Sequence, residues 1–248
     1  MLIKINFAAV LLVTLTAFTT PVTAQSLPLI EYGYPEQKPR TYTNEKGQPD
    51  GYYPRLLNIL FKKADMKWRA TSYPAPRLME NLNTGATNFS ILVKNAKLDS
   101  CCLYSSNPVW FDGLMVYWIG DKPPIKSKED LIGKSLIVMA GYSYGGFVGF
   151  INDPQNRITS EPAETHASAF RMLEAGRADY LLNYGEPAQA EALDLRPVAN
   201  LHSAEISRVH MYFVISKSYP NAENTLKRLE SLYNTMQDED KNGDYTKK

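Results

Sequence analysis

The stretch EDLIGKSLIVMAGYSYGG, residues 129–146, carries the pattern that decides the fold. Ser127 stands three positions before an acidic residue, a spacing typical of a helix start in which side chain and backbone cap each other. The apolar run from Ser135 to Ala140 predicts a buried strand, and the glycine-rich segment from Gly141 to Gly146 predicts a turn into a helix. A buried strand followed by a turn and a helix is the building unit of α/β proteins.

Strand-like and helix-like patterns alternate on both sides of this stretch. Short apolar runs bounded by turn residues predict strands, and apolar residues at helical spacing predict helices. Upstream, strands are predicted at Leu27 to Tyr34, Lys67 to Tyr73 and Phe89 to Val93, and helices at Tyr53 to Ala64 and Arg77 to Leu82. Downstream, helices are predicted at Ala167 to Ala175 and Ala222 to Met236, a strand at Tyr180 to Asn183, and extended segments at Leu114 to Trp118 and Met211 to Ile215. The alternation predicts an α/β fold built from two blocks.

Residues 1–24 have the pattern of an export signal. Lys4 precedes an apolar run from Phe7 to Phe18, and Val22-Thr23-Ala24 supplies the small residues that a signal peptidase reads. The run is shorter than the roughly 20 apolar residues that a membrane-spanning helix needs. We therefore expect cleavage after Ala24 and a periplasmic mature protein, with an uncleaved N-terminal anchor as the alternative.

The charge balance argues against several classes of partner. Once Lys4 leaves with the signal, 26 of the 27 basic residues remain, against 26 acidic residues. The basic residues form neither a stripe suited to nucleic acid nor a cluster suited to an anionic membrane. His166, His202 and His210 lack the spacing of metal ligands, so the sequence predicts neither a metal site nor a cofactor. A monomer that binds a small molecule fits this composition best.

The two cysteines, Cys101 and Cys102, are adjacent in the chain. Exported proteins often oxidise their cysteines, but neighbouring Cα atoms lie about 3.8 Å apart, closer than relaxed disulfides allow. Two free, largely buried thiols are therefore expected, with a strained disulfide as the alternative.

The order of the elements resembles the family 3 extracellular solute-binding proteins, which are periplasmic receptors for polar amino acids and related solutes. The resemblance extends over the whole mature chain. It is carried by Pro39-Arg40-Thr41-Tyr42, the turn Asn44 to Gly51 with Tyr52, Leu78 to Asn88, Tyr104 to Pro108, Glu129 to Lys134, Ala175 to Asp179, and Asn242 to Tyr245. Each segment alone is a weak signal, and their order and intervals make the resemblance.

The resemblance implies two lobes joined by two crossing strands, with the ligand in the cleft between them. It places the first lobe at residues 25–112 and 207–248 and the second lobe at residues 113–206. The hinge is expected near Leu114 to Tyr117 and Arg208 to Tyr212.

Family members hold a ligand carboxylate with an arginine of the first lobe and a helix N-terminus of the second. Here Tyr142, Ser143 and Tyr144 occupy the turn that leads into that helix, where backbone N–H groups and the helix dipole favour an anion. The family arginine falls near Lys97. Lys94, Lys97 and Arg77 are therefore the candidate cationic partners, although a lysine lacks the forked geometry of arginine.

The opposite side of the implied site departs from the family pattern. Asn183 and Tyr184 stand where family members carry the acid that binds the α-amino group, and Asn183 supplies no negative charge. This favours a ligand with an anionic group and an apolar or aromatic surface. Tyr34, at the carboxyl end of the first strand, is a candidate stacking residue, and Ser90 on the strand Phe89 to Val93 completes the expected ligand-binding set.

The segment Gly141-Tyr142-Ser143-Tyr144-Gly145 also matches the G-x-S-x-G turn that carries the nucleophile in α/β-hydrolases. Asp179 and then His202 or His210 follow in the required chain order. The oxyanion segment that such enzymes carry upstream is missing from the sequence.

The function favoured by the sequence is capture of a small polar or anionic solute, an amino acid or related compound, without catalysis. An ABC permease is the expected partner, and a signalling receptor in the membrane is the alternative. A secreted serine hydrolase, or a sensing or dehydratase variant of the same fold, is kept as the competing hypothesis.

Overall fold

The computed structural model describes residues 28–194 and 198–239 of the 248-residue chain. The expected signal peptide, its cleavage point after Ala24, and the segment Asn242 to Tyr245 lie outside the described residues. Inside them, strands and helices alternate as the sequence predicts.

The elements have the following bounds. The strands are β1 (Ile30–Tyr34), β2 (Tyr42–Thr43), β3 (Pro49–Asp50), β4 (Trp68–Ser72), β5 (Phe89–Val93), β6 (Cys102–Tyr104), β7 (Trp110–Ile119), β8 (Ser135–Met139), β9 (Thr159–Ala163), β10 (Tyr180–Tyr184) and β11 (Leu201–Ser216). The α-helices are α1 (Tyr52–Lys63), α2 (Ala75–Thr84), α3 (Phe147–Asn152), α4 (His166–Glu174), α5 (Gly185–Asp194) and α6 (Ala222–Glu239). Short 3-10 turns lie at Ala96–Leu98, Lys128–Leu131, Tyr144–Gly146 and Pro154–Asn156.

Within the described ranges, nine strands form one mixed sheet in the order β4-β1-β5-β11-β7-β10-β8-β9, with β6 paired to β11. The parallel strands β4, β1 and β5 lie on one side of the long strands β11 and β7, and the strands β10, β8 and β9 lie on the other. We call the part around β1 and β5, with α1, α2 and α6, the first lobe. The part around β8 and β10, with α3, α4 and α5, is the second lobe.

Strands β7 and β11 connect the two lobes. They pair antiparallel from Leu201 opposite Ile119 to Met211 opposite Trp110, and the register shifts between Glu205 and Ser207. The C-terminal half of β11 pairs with β5 in the first lobe, while the middle of β7 pairs with β10 in the second. The chain is therefore a two-lobed α/β fold with two crossing strands, as the sequence predicts.

The first two helices show how the sequence sets the element boundaries. Lys62 and Lys63 end α1, where positive charge interacts favourably with the helix dipole. Helix α2 begins after Pro74 and ends at Gly85, which takes the left-handed conformation with φ +80°. Glycine adopts that conformation without steric cost, so it terminates the helix cleanly.

The third helix begins directly after the glycine-rich turn Gly141 to Gly146, as the sequence predicts. Gly145 and Gly146 have φ of +69° and +96°, so the chain makes a 3-10 turn first and α3 begins only at Phe147. The helix is six residues long. Ser143 therefore precedes α3 by a full turn and does not cap it.

Aromatic side chains dominate the core of the first lobe. Phe89 packs against Phe61 and Phe213 with ring centroids 5.3 and 5.6 Å apart, and all three side chains are fully buried. Burial of such side chains contributes roughly 1.5–3 kcal/mol each. Among the residues that the structure describes, no helix is both long and apolar enough to cross a bilayer.

Candidate functional site

The two lobes touch along a cleft in which each contributes polar groups. Nε2 of Gln37 in the first lobe donates a hydrogen bond to the hydroxyl of Tyr142 in the second at 2.7 Å. The hydroxyl of Ser143 donates to the backbone carbonyl of Lys94 at 2.8 Å. Gly141 approaches Pro76 so closely that a Cβ atom on the glycine would lie 3.0 Å from the proline nitrogen. The cleft is therefore closed in this conformation, and only glycine fits at that point.

Space remains at three places along this cleft. A narrow cavity of about 40 Å³ lies at the centre, between Gln37, Asn95, Tyr142, Ser143 and Tyr184. A cavity of about 270 Å³ opens on one side, and one of about 240 Å³, reached by Lys97, opens on the other. We call the 270 Å³ space the acidic mouth, because its lining includes Glu36, Glu164 and Glu191 together with Tyr73 and His166.

The acidic mouth has no lysine or arginine among its lining residues. Glu36 accepts hydrogen bonds from the backbone N–H and the hydroxyl of Thr43, which fix its carboxylate in place. Three carboxylates beside the tyrosine rings of Tyr73 and Tyr142 form an environment that attracts an ammonium or guanidinium group, through charge and through the ring faces. This face of the cleft favours a positively charged group of a ligand.

A buried hydrogen-bond chain connects the acidic mouth to the strand β10. Nδ1 of His166 lies 3.0 Å from Oδ1 of Asn183, and the backbone N–H of Tyr184 donates to the same oxygen at 2.9 Å. An atom that accepts from a backbone N–H is the amide oxygen, so Nδ1 of His166 carries a proton and donates. Nε2 of His166 then accepts, at 3.4 Å, from the hydroxyl of Tyr142.

The neutral form of His166 is the one that this chain stabilises. Burial lowers the pKa of His166 from 6.5 to about 4; the hydrogen bond to Asn183 opposes the shift and the positive charge of Arg40 adds to it. Nδ2 of Asn183, on a fully buried side chain, has no hydrogen-bond partner in the structure. An unpaired buried donor costs free energy, so a ligand or water group that accepts from it would stabilise the site.

Three tyrosines form the second-lobe wall of the cleft. The rings of Tyr142 and Tyr184 stack with centroids 5.1 Å apart, and Tyr144 packs edge-on against Tyr184. The hydroxyl of Tyr144 accepts from the backbone N–H of Met139 and donates to the carbonyl of Leu182, which holds the turn against the sheet. Tyr144 itself has a φ of +49°, a strained value for a residue with a side chain. The wall is rigid and offers flat apolar faces to the cleft.

An ion cluster lies deeper in the cleft, beside the crossing strands. The fully buried guanidinium of Arg40 forms ion pairs with Asp112 of β7 and with Glu186 at the start of α5. The Glu186 carboxylate also accepts from the hydroxyl of Tyr52 and, at 3.3 Å, from Nε1 of Trp110. Burial alone lowers the pKa of Arg40, but Tyr53, Tyr52 and Glu186 outweigh it, so the pKa is raised and the side chain stays charged.

The structure brings together part of the predicted ligand-binding set. Tyr142, Ser143, Tyr144, Asn183 and Tyr184 lie next to one another on the second-lobe side of the cleft. Tyr34 and Ser90 are buried in the first lobe. Their hydroxyls bond to Thr43 and to the carbonyl of Gly33, and neither lines the three cavities of the cleft.

The three predicted cationic partners are dispersed. Arg77 is exposed on α2 and pairs with Glu80. The ammonium of Lys94 lies over the ring of Tyr212 at 4.5 Å from its centroid, so only its backbone carbonyl faces the cleft. Lys97 lines the cavity opposite the acidic mouth.

Sequence reasoning considered Glu186 as a possible acid of the site but did not predict its pairing with Arg40, and it missed Gln37. Arg40 lies within a segment that carries the family resemblance, but its partner Glu186 is 146 positions away in the chain. Gln37 is likewise 105 positions from Tyr142. The available signal was a single arginine between a proline and a threonine in a largely polar segment, which by itself specifies no partner.

The hydrolase hypothesis finds no support in this geometry. The hydroxyl of Ser143 donates to the carbonyl of Lys94 and is 8% exposed as a residue. Asp179 pairs with Lys122 and Ser135. His202 stacks on Trp118, and His210 lines a separate cavity beside Tyr52. The acid and both candidate bases are therefore occupied elsewhere.

The Ser143→Ala substitution is expected to weaken closure of the cleft. We expect no hydrolytic activity in the wild type, so the variant has none to lose. The variant loses one hydrogen bond between the lobes, which is worth about 0.5–1.5 kcal/mol. Thermal unfolding should show a small fall in melting temperature, and a fluorophosphonate probe should label neither the wild type nor the variant. Ser100→Ala, at an exposed turn, is the matched control and should change nothing. Covalent labelling of Ser143 in the wild type would contradict this assignment.

Comparison with solved structures places this geometry among known folds. Holo ArgBP from T. maritima aligns with a TM-score of 0.69 at 18% identity, over 84% of this chain and 90% of that one. A histidine kinase sensor domain with similarity to periplasmic binding proteins aligns at 0.72 and 18% identity, over 88% and 92%. The substrate-binding protein of an amino acid ABC transporter aligns at 0.68 and 15% identity, over 88% and 96%.

The chain has the fold of periplasmic binding proteins. Neither the comparison with family models nor the one with curated proteins finds a match. In a periplasmic-binding-protein fold the cleft between the lobes is where a small molecule fits, because it is the concave region to which both lobes contribute. Among the described residues, no group of three or more histidine, cysteine, aspartate or glutamate side chains is arranged to hold a metal ion.

Proposed function

We propose that this protein captures a small polar solute, an amino acid or related compound, between its two lobes and performs no chemistry on it. The observation that carries the proposal is the closed cleft, in which Gln37 and the Lys94 carbonyl of one lobe bond to Tyr142 and Ser143 of the other. A ligand held between such surfaces contacts both lobes at once and stabilises the closed state through its differential affinity.

The charge of the cleft supports a solute that carries an amino or guanidinium group. Glu36, Glu164 and Glu191 line the acidic mouth, and the rings of Tyr73 and Tyr142 border it. The sequence favoured a ligand with an anionic group, because Asn183 supplies no negative charge for an amino group. The glutamates of the acidic mouth supply negative charge elsewhere in the cleft. The substrate-binding protein of an amino acid ABC transporter, one of the structural neighbours, supports an amino acid as the solute class.

Delivery to an ABC permease is part of the proposal. The neighbour from an amino acid ABC transporter supports this role, and the histidine kinase sensor domain supports sensing as the second candidate. Export with cleavage after Ala24 and lobes at residues 25–112 with 207–248 and 113–206 belong to the same proposal. The described sheet supports that division, since β7 and β11 cross between the lobes at these boundaries.

One experiment tests both export and solute capture. The protein is expressed with residues 1–24, recovered from the periplasm, and measured by intact mass spectrometry under native and denaturing conditions. We expect a chain that begins at Gln25 and a small amine-bearing molecule that is present only under native conditions.

Solution scattering should give a smaller radius of gyration for the protein with that molecule bound than for the same protein after the molecule has been removed. Closure about β7 and β11 brings the lobes together, which is the physical reason for the change. An unchanged radius with the ligand confirmed at saturation would contradict capture by closure.

Double substitution of Glu164 and Glu191 by glutamine should weaken binding of a cationic solute, and substitution of the exposed Glu174 should not.

A further inference from the structure

In the ion cluster at the base of the cleft, the donors and the carboxylate that they bind come from different lobes. Three donors, Nε of Arg40, the hydroxyl of Tyr52 and Nε1 of Trp110, converge on one oxygen of Glu186. All three belong to the first lobe or to the start of β7. The carboxylate that they bind comes from α5 of the second lobe, and its side chain is 36% exposed while the Arg40 side chain is fully buried.

We propose that Arg40, Tyr52 and Trp110 form a carboxylate-binding subsite, which Glu186 fills in this conformation and which a carboxylate of the solute takes by displacing the Glu186 side chain, while the lobes close around the solute. The inference rests on the proposed solute capture. It assigns to this fold a carboxylate partner that is distinct from the residues which the family resemblance implies, because Lys94, Lys97 and Arg77 do not take part in it.

The geometry of the donors supports a carboxylate. Charge-assisted hydrogen bonds from a guanidinium and from hydroxyl and indole donors are stronger than neutral ones and are directed at a point. Arg40 is held in place independently of Glu186, by its ion pair with Asp112 and by contact of Nη1 with the sulfur of Met211. The donors therefore keep their positions when Glu186 moves away.

Space for the rest of a ligand exists on both sides of the subsite. A cavity of about 260 Å³ is bounded by Tyr52, Trp110 and Phe111, and another of about 370 Å³ is bounded by Asp112 and Glu186. The indole of Trp110 packs against the ring of Tyr52 with centroids 4.9 Å apart, so an apolar group next to the carboxylate meets aromatic surface. Glu186 acts as an internal competitor, since the solute must displace it.

Chemical rescue with acetate tests the subsite without any solute. Glu186→Ala removes the internal carboxylate and leaves room for an external one. We expect its melting temperature to fall by several degrees and to recover by about half as sodium acetate replaces sodium chloride at constant ionic strength. The wild type, whose subsite is occupied, should not respond. Acetamide, which has the same shape and no charge, should restore nothing.

Two further variants keep the outcome decisive. Glu191 lies on the same helix as Glu186 but lines the acidic mouth rather than the subsite. The Glu191→Ala variant should therefore show no response specific to acetate. Glu186→Gln retains the size of the side chain but binds Arg40 more weakly, so acetate should stabilise it too, and this variant gives the answer if Glu186→Ala does not fold. Acetate that acts no better than chloride on either Glu186 variant would overturn the proposal. Because no solute is present, that result would leave the proposed function standing.

Discussion

Replacing Arg40 by methionine should destabilise the protein by about 3–5 kcal/mol, the range found when one partner of a buried ion pair is removed. The side chains of Arg40 and Asp112 are 0% and 5% exposed, so the aspartate would be left charged and uncompensated in the interior. For a chain of this size, a loss of that magnitude lowers the melting temperature by roughly 6–20 °C. Thermal and urea unfolding, followed by circular dichroism, measure it.

Adding Asp112→Asn to Arg40→Met separates the effect of the uncompensated charge from the effect of lost packing. In Arg40→Met with Asp112→Asn the uncompensated charge is gone, while the amide side chain can still accept from the backbone N–H of Glu186, which lies 3.3 Å from the native carboxylate. We expect the double variant to recover much of the lost stability, because the penalty arises mainly from the unpaired charge. Arg77→Met is the matched control. Its pair with Glu80 is exposed, and such pairs contribute about 0–1 kcal/mol. Equal losses for Arg40→Met and Arg77→Met would contradict the buried pair.

Stability should also fall in mild acid because of His166. Its pKa in the folded protein, about 4, lies below the ordinary value of 6.5, and the first cause is burial. As the pH falls, the unfolded chain takes up the proton before the folded protein does. The contribution of this residue is therefore fully present above pH 6.5 and is lost between pH 6.5 and 4, to a total of about 3 kcal/mol.

Comparing His166→Gln with substitutions of the two exposed histidines tests whether the loss of stability in acid comes from His166. The variant lacks the titrating group, so the dependence of the free energy of unfolding on pH should become flatter between pH 6.5 and 4. His202→Gln and His210→Gln remove exposed rings that do not belong to the buried hydrogen-bond chain, and the acid sensitivity should persist in both. Urea unfolding at a series of pH values provides the measurement. A wild-type stability that is flat across that range would show that His166 is protonated in the fold.

The sequence was informative wherever a feature depends on near neighbours in the chain. The strand β5 and the helix α4 follow from local apolar runs, and the helical turn Lys128–Leu131 follows from the cap that Ser127 and Asp130 form. The helix predicted at Arg77 to Leu82 is part of α2, which ends at Gly85 because a left-handed residue at that point favours glycine. The neighbouring positions of Tyr142 to Tyr144, Asn183 and Tyr184 on the second lobe also follow from local signals, since each segment lies at the end of a predicted strand.

The cationic partners were the part that local reasoning could not place. Lys94 and Lys97 are close in the chain to Asn95, which lines the cleft. The ammonium of Lys94 nevertheless lies over Tyr212, and only its backbone carbonyl contacts Ser143. The direction of a long side chain depends on which rings and carbonyls surround it after folding. Ser143 illustrates the same limit: its hydroxyl was expected to face an anion, and it instead bonds to the opposite lobe.

By itself, the sequence determined the alternation of strands and helices and hence the α/β class, because those features follow from periodicity and turn residues within short windows. The two lobes were implied by the family resemblance. Only the tertiary structure decided which groups meet across the cleft. Ser143 and the Lys94 carbonyl, Tyr142 and Gln37, and Glu186 and Arg40 are separated by 49, 105 and 146 positions. Their pairing is set by the crossing of β7 and β11 and by the angle at which the lobes close, and no local pattern in a chain encodes that angle.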